Sequence, residues 1–236
     1  VLPFPYYQNN VVLGRMLAEW GDKPFGALYL LPLWHPVILA EQIGTLASLA
    51  PGRFIMQCGL GDERQAAAMG IDMSKKVGMF LASLRTMRTL WRGEAATEDK
   101  YWNISNAVIS PVPAEPVEVW IGSVVDAAIE RTARVGDAWL ASPSHTPEQA
   151  GELLKRYLDY CAKHDTTPTA KAIRRDIFVG SSAEDARKVA APYIEQGYRG
   201  IDPEALVVGS VEEVAGQIRA LSDQGYCRAD WCEGNC

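Results

Sequence analysis

The chain has 236 residues, 48% hydrophobic and 22% charged, which excludes a disordered, collagen-like or coiled-coil protein and fits one large core. Its net charge of −6 leaves no basic surface to invite nucleic acid or an anionic membrane. The longest apolar run, Ala27 to Trp34, is interrupted by Pro32 and is too short to span a bilayer.

The chain opens Val-Leu-Pro-Phe-Pro-Tyr-Tyr, without an initiator Met, a basic segment or a signal-like core, and reads as the start of a fragment. Gly26 to Leu31 is a buried strand. Pro36 then opens a helix to about Leu49, and Arg53 to Cys58 is a second strand. Ser74 to Trp91 is a helix, because Val77, Phe80, Leu81, Leu84, Met87 and Trp91 recur at helical spacing before Gly93. The segment 93–116 reads as loop. Val117 to Ile121 is a strand, Ser123 to Val135 a helix, and Asp137 to Ala141 a strand. Thr146-Pro147-Glu148-Gln149 is a capping box with Pro at the first helical position. Ile173 to Val179 reads as one strand, with Ser182 capping the helix after it. The segment 197–209 reads as loop, and Ser210-Val211-Glu212-Glu213 is a second capping box, with Gly225 as the stop.

Strands alternating with helices predict parallel β/α units in one domain over 1–236. A closed eight-stranded barrel runs to about 250 residues, roughly 30 per unit. With two loop-rich stretches the chain is too short for eight units, and a barrel lacking one or two strands at its front follows. An exposed gap, or apolar surface on the strand at 26–31, is then expected where the missing neighbour should pair. An odd count of five cysteines favours free thiols in a reducing compartment, the cytoplasm. Cys227, Cys232 and Cys236 lack paired spacing and nearby histidines, so no metal site is expected.

Three places carry candidate chemistry on physical grounds. At Gly122-Ser123 a strand meets a helix N-terminus, whose outward N–H groups favour an anion. Gly122 would let a phosphate approach and Ser123 would donate to it; the competing reading is a plain N-cap, with Ser123 bonding the amide near Asp126. Gly59-Leu60-Gly61 permits close backbone approach to a cofactor, or is a simple strand-to-helix turn. His35, between Trp34 and Pro36 at a strand's C-terminal end, either contacts substrate in proton transfer or is a buried residue fixing the turn. His145 and His164 read as loop and surface residues.

Leu31-Pro32-Leu33-Trp34-His35-Pro36-Val37, Ala40-Glu41, Pro51-Gly52-Arg53-Phe54 and Gly59-Leu60-Gly61 occur in that order. Leu90-Trp91-Arg92-Gly93, Pro111-Val112-Pro113, Val119-Trp120-Ile121-Gly122, Ala133 to Trp139 and Val208-Gly209-Ser210 follow. Over about 25–225 this series resembles the luciferase-like flavin-dependent monooxygenase superfamily, which includes deazaflavin-dependent reductases. The resemblance implies a TIM (β/α)8 barrel, incomplete here: the first two strands are missing and the last is doubtful, since Cys227 to Trp231 lacks strand alternation. It implies FMN or the deazaflavin coenzyme F420, a small organic substrate, a possible flavin reductase partner and a homodimer at full length. The cofactor phosphate would sit at Gly122-Ser123.

The turn Gly59-Leu60-Gly61 would border the cofactor, although Leu60 stands where bacterial luciferase has arginine; Lys76 or Lys75 could supply a point charge instead, or simply be a solvated helix start. Asp126, in the first turn, would repel phosphate. The family's non-proline cis bond aligns between Ala27 and Leu28, beside the ring, and is free to relax to trans where the adjoining strand is missing. The main catalytic residue belongs to the missing second strand, leaving His35 as the candidate here. The rival function is a non-catalytic flavin-binding or vestigial barrel; a third reading is an open barrel without cofactor affinity.

Overall fold

The structure, a computed structural model, describes residues 8–228. The chain divides into two compact units, the first up to Trp120 and the second from Ile121. The first contains α1 (Asn9–Leu17), β1 (Phe25–Leu30), α2 (Pro36–Leu49), β2 (Phe54–Gly59), α3 (Glu63–Ala68), α4 (Lys76–Trp91), β3 (Ala96–Glu98) and β4 (Ile104–Ala107). Strand β5 (Glu118–Gly122) crosses the boundary.

Strands β1 and β2 are parallel, in register from Phe25↔Phe54 to Leu30↔Gly59. Phe25 and Phe54 meet edge to face, ring centroids 5.4 Å apart. A Cβ on Gly26 would collide with the backbone of Ile55, so glycine here serves the close approach of the two strands. Tyr29 is fully buried, and its hydroxyl donates to Asn10 Oδ1 at 2.6 Å. Burial pushes that phenol well above its ordinary pKa. Asn9 Nδ2 donates to the Leu28 carbonyl at 3.0 Å, so α1 satisfies part of the outer side of β1. Leu28 nevertheless remains 48% exposed, the apolar surface expected on this strand.

Helix α4 buries Phe80, Leu84 and Met87 of the anticipated stripe, together with Leu90; Leu81 and Trp91 are half-buried and Val77 is exposed, and the helix is entered through a 3-10 turn at Met73–Lys75. Part of the segment read as loop at 93–116 is instead the antiparallel hairpin β3–β4. Glu98 makes the turn by accepting the backbone N–H groups of Tyr101 and Trp102 at 3.0 and 2.9 Å. Strands of three and four residues are too short to show a period.

The second unit contains α5 (Asp126–Val135), β6 (Ala138–Ala141), α6 (Pro147–Lys163), β7 (Ala170–Ile173), β8 (Ile177–Val179), α7 (Ala183–Glu195), β9 (Val207–Gly209), α8 (Val211–Asp223) and β10 (Cys227–Arg228). Strands β6 and β7 are parallel, from Ala138↔Ala170 to Ala141↔Ile173. Both capping boxes form as read, Thr146 with Gln149 and Ser210 with Glu213, and Ser182 caps α7. Trp139, fully buried, packs on Tyr157 at 5.7 Å in a core with Ile129, Leu154, Cys161 and Leu221.

Four expectations are corrected here. The single strand at 173–179 is two: β7 ends at Ile173, and β8 belongs to a separate parallel pair with β9. The break is Arg174-Arg175-Asp176. Asp176 accepts from Arg174 Nη2 at 3.0 Å, Arg199 Nη1 at 2.7 Å and the Tyr198 hydroxyl at 3.1 Å, and these bonds turn the chain. The segment 197–209 holds β9, again too short to be legible. Cys227–Arg228 is a strand, antiparallel to β7, although its sequence lacks alternation. Cys227 is disulfide-bonded, against the expectation of free thiols, whereas Cys58 and Cys161 are buried thiols. Cys232 and Cys236 lie outside the described residues.

Burial alone would raise the Asp176 carboxyl, but Arg174, the Tyr198 hydroxyl and Arg199 more than offset it and hold it below its usual range. A depressed carboxyl stabilises above its unfolded pKa, and that contribution fades as pH falls through the folded value. Asp176→Asn should therefore cost about 1–2 kcal/mol near neutral pH, with a smaller difference from wild type in acid. Thermal melts at the two pH values check this.

Candidate functional site

The β5–α5 junction is built from inside outward. The Trp139 indole N–H donates to the Ser123 carbonyl at 2.9 Å. Thr132 donates its hydroxyl to the Ala128 carbonyl at 2.9 Å, so in the 3.0 Å contact between Ser123 Oγ and Thr132 Oγ1 the serine is the donor. Ser123 and Thr132 are both buried. The Ser123 side chain therefore neither caps α5 nor faces solvent, and the helix starts at Asp126 rather than Ser123, with Val125 as its N-cap.

The surface of the junction is formed by the residues on either side of Ser123. Gly122 is exposed, as are Val124 and Val125, at 49% and 67%. No side chain caps α5, whereas Thr146, Ser182 and Ser210 cap the other three helices of this unit. First-turn N–H groups without a cap, beside an exposed glycine, suit an anion. Asp126, expected to repel one, has its carboxylate drawn aside: it accepts the Tyr160 hydroxyl at 2.7 Å and lies 3.4 Å from Arg156 Nη1. The same bond raises the Tyr160 phenol.

In the first unit, Gly61 has φ +77°, a conformation that favours glycine. The next residue, Asp62, forms a capping box with Gln65, so a carboxylate of the chain itself occupies the start of α3. Gly59, Leu60 and Gly61 are half-buried, with Leu30 packed against both glycines. Lys76, the first residue of α4, is half-buried and has no ion pair among the described residues. Ala27 and Leu28 pair with Met56 and Gln57 in a regular ladder. Among the described residues the sole cis bond is Ser110–Pro111, so Ala27–Leu28 is trans. The unbroken six-residue register leaves no bulge for a cis bond.

His35 is the N-cap of α2, through its backbone alone. It is exposed, which corrects the reading of it as a buried turn residue. Its ring lies edge to face with Trp102, 5.7 Å between centroids, so a residue of the unforeseen hairpin sets the imidazole's orientation. Thr132, Trp139 and Trp102 were not legible as site-forming residues, because each acts across 9 to 67 positions of sequence. Among the described residues no cluster of metal ligands occurs, and no helix is long and apolar enough to cross a membrane.

The geometry can be set beside known proteins. Over 186 residues the chain is 28% identical to an F420-dependent glucose-6-phosphate dehydrogenase of Beutenbergia cavernae, covering 76% of this chain and 55% of that protein. The chain thus spans about half the length of the curated relatives it matches. Monooxygenase RslO1 of Streptomyces bottropensis superposes with TM-score 0.77 at 20% identity, over 92% of this chain and 72% of that one. The FMN complex of the oxygenating constituent of 3,6-diketocamphane monooxygenase, from Pseudomonas putida, gives 0.70 at 19%, over 92% and 74%. These likenesses show the α/β fold with parallel strands. The luciferase-like monooxygenase model matches residues 25–205, and the chain therefore belongs to the luciferase-like monooxygenase family.

Proposed function

We propose that this chain is the cofactor-binding part of an F420- or FMN-dependent oxidoreductase acting on a small organic substrate, with the cofactor phosphate on the backbone of the β5–α5 junction. The uncapped start of α5 beside Gly122 carries the reading, within a family whose relatives include F420-dependent and FMN-bound enzymes by name. When bound, either cofactor supplies the redox chemistry, and the protein binds, orients and shields it. Gly122 lets the phosphate approach, and the amides following Ser123 donate to it. Ser123 positions them, its carbonyl held by Trp139 and its hydroxyl by Thr132. Ala27, Leu28, Gly59, Leu60 and Gly61 are the first unit's candidate cofactor contacts, and Lys76 its candidate charge. His35, exposed and braced by Trp102, is the candidate for proton transfer or substrate contact.

Titrating FMN and F420 into the protein, followed by fluorescence, tests this. At least one should bind. Gly122→Val, which places a branched side chain where the phosphate approaches, should weaken binding tenfold or more, about 1.4 kcal/mol. Ser123→Ala should lower stability by about 1 kcal/mol yet leave affinity within twofold, because the hydroxyl faces Thr132. Binding of neither cofactor, or unchanged affinity in Gly122→Val, would overturn the reading.

A further inference from the structure

A cation with no ion pair among the described residues lies at the C-terminal ends of β6 and β7. Arg175 follows β7 by two residues, and its guanidinium reaches back to the loop after β6. Nη1 donates to the Ser142 and Arg174 carbonyls, each at 3.4 Å, long for hydrogen bonds. Nη2 is buried and has no hydrogen-bond partner among the described residues. The adjacent carboxylate offers nothing, because Asp176 is engaged by Arg174, Arg199 and Tyr198. Burial lowers the Arg175 pKa, with the nearby Tyr226 acting in the opposite sense, as for a charge partly removed from water without compensation.

The loop that meets this guanidinium carries further donors. Ser142 and Ser144 share a hydroxyl contact at 2.9 Å. His145 Nε2 is likewise buried without a partner among the described residues. A half-buried guanidinium with one buried nitrogen unsatisfied among the described residues is costly to keep, and its natural complement is an oxyanion, which a guanidinium binds by short, charge-assisted bonds. The carboxyl ends of parallel strands are also where α/β folds take their ligands.

We propose that Arg175, with the 142–145 loop, forms an oxyanion subsite that holds a phosphate or carboxylate group of a bound ligand. The oxyanion takes the place of the two long carbonyl contacts and supplies Nη2 with an acceptor, so the 142–145 loop shifts as it enters. The proposal rests on the oxidoreductase reading only in expecting a ligand at this end of the strands, and it adds an anionic substrate class to that reading.

Calorimetric titration of inorganic phosphate into the full chain tests it, with circular dichroism confirming that each variant is folded. Wild type should bind phosphate, Arg175→Met should bind it at least tenfold more weakly, and Arg175→Lys should fall between. If Arg175→Met does not fold, Arg175→Lys and His145→Ala carry the same comparison. No measurable binding to wild type, or binding unchanged in the folded variants, would overturn the subsite. FMN and riboflavin, titrated into wild type and Arg175→Met, then identify the source of the oxyanion. An unchanged preference for FMN with phosphate binding lost assigns it to the substrate, and loss of the preference in the variant would overturn the substrate assignment together with the β5–α5 phosphate site. A wild type that binds neither FMN nor F420 but still binds phosphate through Arg175 removes the cofactor reading and leaves this one standing.

Discussion

Trp139→Ala should destabilise the second unit by about 3–5 kcal/mol, the cost of emptying a large buried aromatic site. For a chain of this length that lowers the melting temperature by roughly 6–20 °C. Two contributions add. The indole is fully buried against Tyr157, and its N–H is the partner of the Ser123 carbonyl, which the truncation leaves buried and unsatisfied. Trp139→Phe separates them. It retains most of the ring's bulk and removes the hydrogen bond, so it should cost only about 1–2 kcal/mol. It should nevertheless weaken cofactor binding more than Leu154→Val, a change in the same core that removes no hydrogen bond of the junction. Equal affinities for these two variants would show that the junction does not depend on the indole.

Gly26→Ala should be the most damaging small substitution in the first unit. The added methyl would overlap the Ile55 backbone, and a neighbouring strand cannot yield as a flexible side chain can. Overpacking of this kind costs about 1–3 kcal/mol, and the rigidity of the β1–β2 ladder places this site at the upper end. The expected fall in melting temperature is about 6–12 °C. Gly21→Ala is the control, since its Cβ would meet nothing within 4 Å, although its φ of +76° carries some strain. Similar losses for the two would mean that backbone conformation, rather than strand packing, sets the cost.

The same comparison shows why some of the molecule was legible in its sequence. Capping residues act within three positions of where they stand, so the starts of α6, α7 and α8 were readable at Thr146, Ser182 and Ser210. The stripe of α4 and the strands at Phe25–Leu30 and Phe54–Gly59 were readable because hydrophobic burial imposes a local period or run. The start of α5 was misplaced for the opposite reason. Ser123 has the composition of a cap, but Thr132, nine residues on, draws its hydroxyl into the interior. The break between β7 and β8 depends on Arg199, 23 residues beyond Asp176, and the orientation of His35 on Trp102. Such long-range partners leave no periodic trace. The β5–α5 junction was a candidate on physical grounds as well as through the resemblance, and burial of the serine hydroxyl moves the candidate anion contact to the backbone amides at the uncapped start of α5.

The central claim is that those amides receive the cofactor phosphate. Amide NMR spectra recorded with FMN and riboflavin, or with F420 and its phosphate-free deazaflavin, test it most directly. The account predicts that the amides of Val124, Val125, Asp126 and Ala127 shift strongly with the phosphorylated member of the pair and little with the other. Equal shifts with both members, or phosphate-dependent shifts confined to other parts of the chain, would contradict it.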